Sequence, residues 1–405
     1  MGTPLHAVTV VSAIMYKNLG LTNAEIGLYT GSMYLPWVIK PLWAPLLELY
    51  RSKRFFVIAA ELTMAVTLAC VALALGLPHY LPATLVFLWL TGFASATQDV
   101  AADGVYIAAM DAKRQAQYAG VQGIFWNASK VVAAGFLVEL TQWLHDRGGA
   151  SWPTTWAAVM GVLALVMSLL ALWHLRALPA AREADIPKRM PASGVLSTIS
   201  DTWLSFVRKP RVGWMLAVVF FYRFGEGFIE KVGPLFLMDP RSVGGLGLDN
   251  AAIGRIQGTY ATLGFLAGAL GGGLFVARMT LRRSFWLLAI ALNVPHLTYS
   301  YLSVAQPESL TLIAVVVTIE KLGYGFGSVG HMLYMMQQLA PGPYRTAHYA
   351  FATGVMGLSM MLTGMLSGTL QEWLGYQAFF VFVLAASLPP IVLAWTAPFA
   401  RETES

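Results

Sequence analysis

Residues 91–110 read TGFASATQDVAADGVYIAAM, an apolar run that holds Asp99 and Asp103 with Gln98 beside them. At positions i and i+4 the two carboxylates fall on one helical face. Neighbouring acids raise each other's proton affinity, and poor solvation raises it further. Two chemistries fit the pair: proton loading, or charge balance with a buried lysine that ties helices together. Gly92, Ala94, Ala96, Ala101, Ala102 and Gly104 surround the acids, and small residues permit close helix packing. Two lysines are candidate partners. Lys40 stands between Pro36 and Pro41 in YLPWVIKPLW, and Lys130 stands in FWNASKVVAAG one turn after Asn127. Neither reaches water easily from mid-span, so each is expected to meet a carboxylate or an anionic solute. The prolines break the backbone ladder, which is tolerated where a cavity or a neighbouring helix satisfies the freed groups.

Further charges lie downstream. In FYRFGEGFIEK, Arg223, Glu226 and Glu230 recur at spacings of three and four, flanked by Gly225 and Gly227. The spacing predicts an internal Arg223–Glu226 pair, with Glu230 and Lys231 approaching the outer surface. VTIEKLGYGFGSVGHMLYMM puts Glu320 mid-span, followed by Gly323, Tyr324, Gly325 and Gly327. That pattern suits a bending, cavity-lining helix and equally a row of helix contacts. His331 reads as a core histidine or a proton relay, Arg255 as interfacial, and Glu61 and Glu139 as lone acids with packing or topological roles. Tyr16, Tyr34, Trp37, Tyr106, Trp126, Tyr222, Tyr260 and Tyr324 fit either a sugar or peptide pocket or the aromatic belts of a bilayer. The candidates are then Asp99, Asp103 and Glu320 for proton coupling. Lys40, Gln98, Asn127, Lys130, Arg223, Glu226 and Tyr324 are candidates for solute binding or charge balance.

The elements that must position these residues follow from composition. Of 405 residues, 57% are hydrophobic and 11% charged, whereas a soluble domain carries about 25% charged residues. Apolar stretches of about 17–25 residues, the length that crosses a bilayer, recur along the chain. They are expected near 2–18, 27–49, 55–77, 81–109, 118–143 and 152–177, then 211–237, 249–276, 283–304, 309–335, 345–370 and 375–398. The prediction is an all-α polytopic membrane protein of twelve spans in two six-helix halves, 1–177 and 211–398. A cytoplasmic connector covers 178–210 and a cytoplasmic tail 399–405. The first span is short, which predicts truncation at the start or a tilted helix, and it has neither a basic leader nor a cleavage signal.

Basic residues set the orientation, because Lys and Arg collect on the cytoplasmic side of short loops. Alternate connections hold Arg51, Lys53 and Arg54, then Lys113 and Arg114, then Arg176, Arg182, Lys188, Arg189, Arg208, Lys209 and Arg211. Arg278, Arg282, Arg283 and Arg345 continue the series, against Lys17, Arg147, Lys231 and Arg241 opposite. Both termini are therefore expected in the cytoplasm, and the +6 charge reflects topology rather than a nucleic-acid partner. A single cysteine, Cys70, excludes a disulfide scaffold and a cysteine metal cluster. Neither HExxH nor GxSxG nor a nucleotide loop is present, so no enzyme, cofactor or metal is expected. The absence of a filter-like repeat argues against a channel.

The halves echo each other in APLLELYRSKR (44–54) and GGLFVARMTLRR (272–283), each a helix end followed by a tight basic turn. Repeated halves are a common construction for alternating-access transporters. MYKNLGLTNAEIGLYTGSMYLPWVIKPLWAPLLELY (15–50) and SATQDVAADGVYIAAM (95–110) resemble the AmpG-like muropeptide permeases of the major facilitator superfamily, relatives of the acetyl-coenzyme A transporters. The resemblance implies the major facilitator fold in a bacterial inner membrane, a functional monomer, and proton-driven import of sugar–peptide fragments from cell-wall turnover. It points to Lys40, Gln98, Asp99, Asp103 and Lys130. The superfamily's loop acid appears as Glu48, without its usual glycines, and longer permeases carry extra helices that this chain has no room for. Transport or export of another metabolite, peptide, acyl-coenzyme A compound or drug is the alternative.

Overall fold

Several spans begin at a residue that caps them. Ser52, Ser151, Asp249 and Ser309 each have extended backbone angles and accept a hydrogen bond from the amide three residues on, Phe55, Thr154, Ala252 and Leu312. Such caps satisfy amides that the helix itself leaves open. In the computed structural model, residues 2–44, 47, 52–109, 125, 127–178, 192–342 and 344–399 are described, and regular structure among them is all helical. Glu48, Lys113, Arg114, Trp126 and residues 179–191 of the expected connector lie outside the described residues.

Helix occupies each of the twelve expected positions among the described residues. Eight helices there are long and apolar enough to cross a membrane, and one of them, Ala347–Trp395, contains two expected spans. The join is Gly375, whose φ of 72° suits glycine because no Cβ clashes there. The remaining positions are irregular. The first span runs as Gly2–His6, a π-helical Ala7–Val11 and Ser12–Asn18. The second breaks into Asn23–Ser32, Leu35–Ile39 and a 3-10 turn Lys40–Leu42. Pro36 and Pro41 lack the amides that would continue the ladder. The fifth contains a π segment, Val131–Phe136, before Leu137–Gly148.

Contacts group Met1–Leu21 with Met33–Val195 as one unit, and Thr22–Ser32 with Leu196–Ser405 as a second. In the first unit, Lys53–Ala74 packs on Tyr80–Ala109 and on Trp152–Ala177. Hydroxyl pairs stitch these helices together, Thr67 to Thr91 at 2.8 Å and Tyr16 to Thr84 at 2.9 Å. Trp156 donates to Asn18 at 3.0 Å. On Trp152–Ala177, Val159, Met160, Leu163 and Met167 are buried while Leu165, Leu169 and Leu172 are exposed. A helix apolar on its outer face as well as its inner one belongs in lipid.

The second unit relies on glycine for close approach. A Cβ at Gly268 would stand 2.0 Å from the Leu322 carbonyl oxygen, and one at Gly325 would stand 2.1 Å from that of Phe265. Helices Ala261–Met279 and Leu310–Tyr334 therefore meet backbone to backbone, the geometry that small residues allow in membranes. The glycines after Glu320 act as helix contacts: Gly323 and Gly327 face Ala291 and Leu288 on the other side. Asn23–Ser32 packs on Arg345–Ala386 in the same manner, Gly27 and Gly31 meeting Gly364 and Gly368. Tyr222, Phe285 and Tyr334 stack in series at 5.1 and 4.7 Å at the base of this unit's core.

Gly268→Ala should lower stability by about 1–3 kcal/mol, the usual cost of overpacking, because the Leu322 backbone cannot yield cheaply. Gly161, with nothing within 4 Å of an added Cβ, should tolerate alanine with no loss. Thermal unfolding of the purified variants in detergent compares the two; equal midpoints would contradict the packing.

Candidate functional site

In the first unit, the broken second span delivers Trp37 and Lys40 toward the fourth. The Trp37 indole donates to Asp99 Oδ2 at 3.1 Å, and the Lys40 ammonium acts electrostatically on the same carboxylate. Asp99 is buried, and its Oδ1 has no hydrogen bond among the described residues. Asp103 is exposed, so the two carboxylates share a helix but not an environment. One turn of helix carries the second acid out of the packed interior.

Gln98 turns elsewhere. Its Nε2 donates to Glu61 Oε1 at 2.7 Å, and His174 Nδ1 meets the same oxygen at 2.8 Å. Glu61 is fully buried, and the reading of it as a lone acid is corrected: it ties three helices, Lys53–Ala74, Tyr80–Ala109 and Trp152–Ala177. Asn127 and Lys130 are half-buried just before the π segment of the fifth span. Lys130 lies within electrostatic reach of the buried His6 on the first.

In the second unit the seventh span breaks between Val212–Phe221 and Phe224–Met238, with Arg223 at φ −113° and ψ 20°. The break turns Arg223 toward Tyr324: its guanidinium donates to the Tyr324 hydroxyl, and Cζ sits 4.9 Å from the ring centroid. Glu230 lies 3.6 Å from Arg223. Glu226 does not wait on Arg223 for its countercharge, as the spacing suggested. Lys321 Nζ donates to Glu226 Oε1 at 2.7 Å, and His296 Nε2 lies 3.4 Å from Oε2. Glu320 Oε2 stands 3.1 Å from the same lysine. Glu226 and Glu320 are 0% exposed, His296 1% and Lys321 5%, so this is a fully buried charge cluster rather than a set of isolated mid-span charges.

Lys321 and His296 escaped the sequence reading. Lys321 follows Glu320 directly, and adjacent helical residues point about 100° apart, which conceals that a long lysine stem bends back between two acids. The signal for His296 was its neighbour Pro295, which shapes the 3-10 turn Val294–His296 and directs the ring inward. Lys231, expected near the outer surface, is buried and donates to Thr30 at 2.7 Å. His331 is a core histidine, its Nε2 3.1 Å from the Val219 carbonyl and its ring stacked on Tyr222 at 4.8 Å.

The aromatics divide clearly. Tyr16 and Tyr222 are core, Tyr260 is exposed, and Trp37 and Tyr324 touch charged groups. The side chains of Tyr106 and Trp126 lie outside the described residues. Chemically, the two regions can carry a proton or hold a charged solute group; Lys321, 2.7 Å from Glu226, takes the place a divalent ion would need.

Removing one member of a buried ion pair costs about 3–5 kcal/mol. Lys321→Met should lose stability of that order, and adding Glu226→Gln should recover part of it. Unfolding midpoints of the two singles and the double variant measure the coupling; strict additivity would deny it.

The sequence profile described as Major Facilitator Superfamily matches residues 5–342. The chain is 23% identical over 399 residues to the Anhydromuropeptide permease of Escherichia coli, covering 95% of this chain and 74% of that protein. It is 22% identical over 409 residues to Putative transporter AmpG 4 of Rickettsia conorii, covering 97% and 92% of the two chains. Among solved structures, a D-xylose–proton symporter superposes with a TM-score of 0.74 at 13% identity, over 97% of this chain and 94% of that one. The nucleoside transporter NupG superposes with a TM-score of 0.69 at 15% identity, over 98% and 95%. These proteins are transporters and not enzymes, and the structural likeness extends to the fold alone. With the profile matched over most of its length, this multi-pass membrane chain belongs to the Major Facilitator Superfamily.

Proposed function

We propose that this transporter is a proton-coupled permease that imports a large polar solute, an anhydro-muropeptide or related sugar–peptide, by alternating access. The observation that carries proton coupling is Asp99, a buried carboxylate with one oxygen on Trp37 and the other without a hydrogen bond among the described residues. An acid held this way in a membrane interior is stabilised by taking a proton. The substrate reading draws on the likeness to the anhydromuropeptide permease, which spans 95% of the chain. Proton-coupling groups in this reading are Asp99, Asp103 and Glu320. Lys40, Lys130 and Arg223 meet anionic groups of the solute or balance charge, with Gln98, Asn127, Glu226 and Tyr324 beside them. The chain works as a monomer in a bacterial inner membrane, as two six-helix halves with both termini cytoplasmic. The alternation of basic loops supports that orientation.

Uptake into proteoliposomes under an imposed pH gradient tests the reading with anhydro-muropeptides, short peptides and acyl-coenzyme A compounds. A gradient of about one pH unit should sustain roughly tenfold accumulation if one proton enters per solute, because a unit is worth about 1.36 kcal/mol. Absence of gradient-dependent muropeptide flux would remove that substrate. Asp99→Asn should abolish the pH dependence of uptake; a variant coupled like the parent would take Asp99 out of the mechanism.

A further inference from the structure

The buried cluster of the second unit has one more negative charge than it can hold dry. Glu226 and Glu320 face a single ammonium, Lys321, at 2.7 and 3.1 Å. Both acids are 0% exposed, and burial of an uncompensated ion costs several kcal/mol. His296 is the next candidate for a positive charge, and its hydrogen bonds fix its neutral tautomer. The Ser387 hydroxyl donates to the Val383 carbonyl at 2.8 Å. Having committed its proton, Ser387 Oγ accepts from His296 Nδ1 at 2.7 Å. The neutral ring then presents a lone pair at Nε2.

That lone pair faces Glu226 Oε2 at 3.4 Å, acceptor against acceptor. Neither atom has a hydrogen bond among the described residues, and neither has Glu320, whose Oε2 keeps only the 3.1 Å ion contact with Lys321. Glu226, His296 and Glu320 each offer one ligand atom, and these atoms lie within 4.8 Å of one another. A single added proton supplies both the missing charge and the missing donor. A sodium ion fits less well: beside the carboxylate oxygens this site brings an imidazole nitrogen, and the Lys321 ammonium at contact distance repels a cation.

We propose that Glu226, His296, Glu320 and Lys321 form a one-proton site, the coupling site of the transport cycle within the second unit. This rests on the reading of the chain as proton-driven and names where the second unit holds the proton. An N–H or O–H bond forms as the proton enters and breaks as it leaves to water; no other bond changes. With the proton on His296 or Glu320, Lys321 belongs to Glu226. Without it, the two carboxylates compete for the ammonium. Lys321 Nζ also lies 5.2 Å from the Tyr324 ring centroid, and Arg223 Cζ lies 4.9 Å from it. Tyr324 is thus a wedge between the proton site and Arg223, whose side chain is 15% exposed and can meet a solute anion. The other groups facing the cluster are Tyr299, whose hydroxyl is held by Gln257 at 3.0 Å, and Glu230.

The test needs neither substrate nor gradient. Infrared difference spectra of the purified full-length protein, taken across about pH 5 to 8, report carboxyl protonation. Nitrogen-15 resonances of labelled histidine report the rings in the same samples. We expect Glu320→Gln to bind one proton fewer than the parent over this range, with the His296 signal shifted, while Glu308→Gln, at an exposed acid outside the cluster, retains both features. His296→Gln gives the second reading should Glu320→Gln not fold: the surplus negative charge stays, so the proton should settle on a carboxyl group and the histidine change should vanish. A parent protein with neither a carboxyl nor a histidine change in this range overturns the proposal. So does a titration that Glu320→Gln and His296→Gln leave intact, or one that sodium abolishes at constant pH. Failure here leaves Asp99 as the proton carrier and the uptake reading standing; failure of muropeptide uptake leaves this titration untouched.

Discussion

In hydrocarbon, a charge or an open backbone amide has no water to fall back on, and every other feature of this protein answers to that constraint. The Lys321–Glu226 contact at 2.7 Å is its sharpest expression. Two acids and one lysine sit out of contact with solvent on helices from distant parts of the chain, so the helices must arrive in one register. Glycine makes that register reachable. Gly323, Gly325 and Gly327 let Leu310–Tyr334 press against helices on both sides, and the charged residues one turn earlier are carried inward with it.

The two units solve the same problem with different partners. In the first, neutral donors dominate: the Trp37 indole serves Asp99 and the Gln98 amide serves Glu61. In the second, ammonium and guanidinium groups face the acids directly. Hydrogen bonds from neutral groups stabilise a carboxylate less than a full countercharge does. The first unit therefore rests its acids mainly on neutral donors, and the second gathers two acids around a single ammonium.

Helix irregularity falls where the charges are. The break at Arg223, the 3-10 turn at Lys40, the 3-10 turn at His296 and the π segment after Lys130 each place a polar side chain at the interruption. Such interruptions expose backbone groups that only a packed or polar interior can satisfy. Prolines 36, 41 and 295 announce two neighbourhoods of this kind in the sequence, those of Lys40 and His296. The seventh-span break has no proline; Arg223 itself leaves helical angles there, at φ −113° and ψ 20°.

How much could be read without coordinates depends on whether the cause was local. Span positions and the membrane class follow from runs of about twenty residues, and hydrophobicity over such a window determines them by itself. The acids of the fourth span, Asp99 buried and Asp103 exposed, were legible as candidates because their spacing is short. Partnership was not legible. Glu61, Gln98 and His174 are 37 and 76 positions apart in sequence order, and nothing in their neighbours declares that they meet. Lys321 was hidden beside Glu320, and His296 was hidden within an ordinary span. Only the tertiary structure decided which acid faces which base, because that choice depends on helix rotation and depth, set by glycine contacts far from the charges themselves.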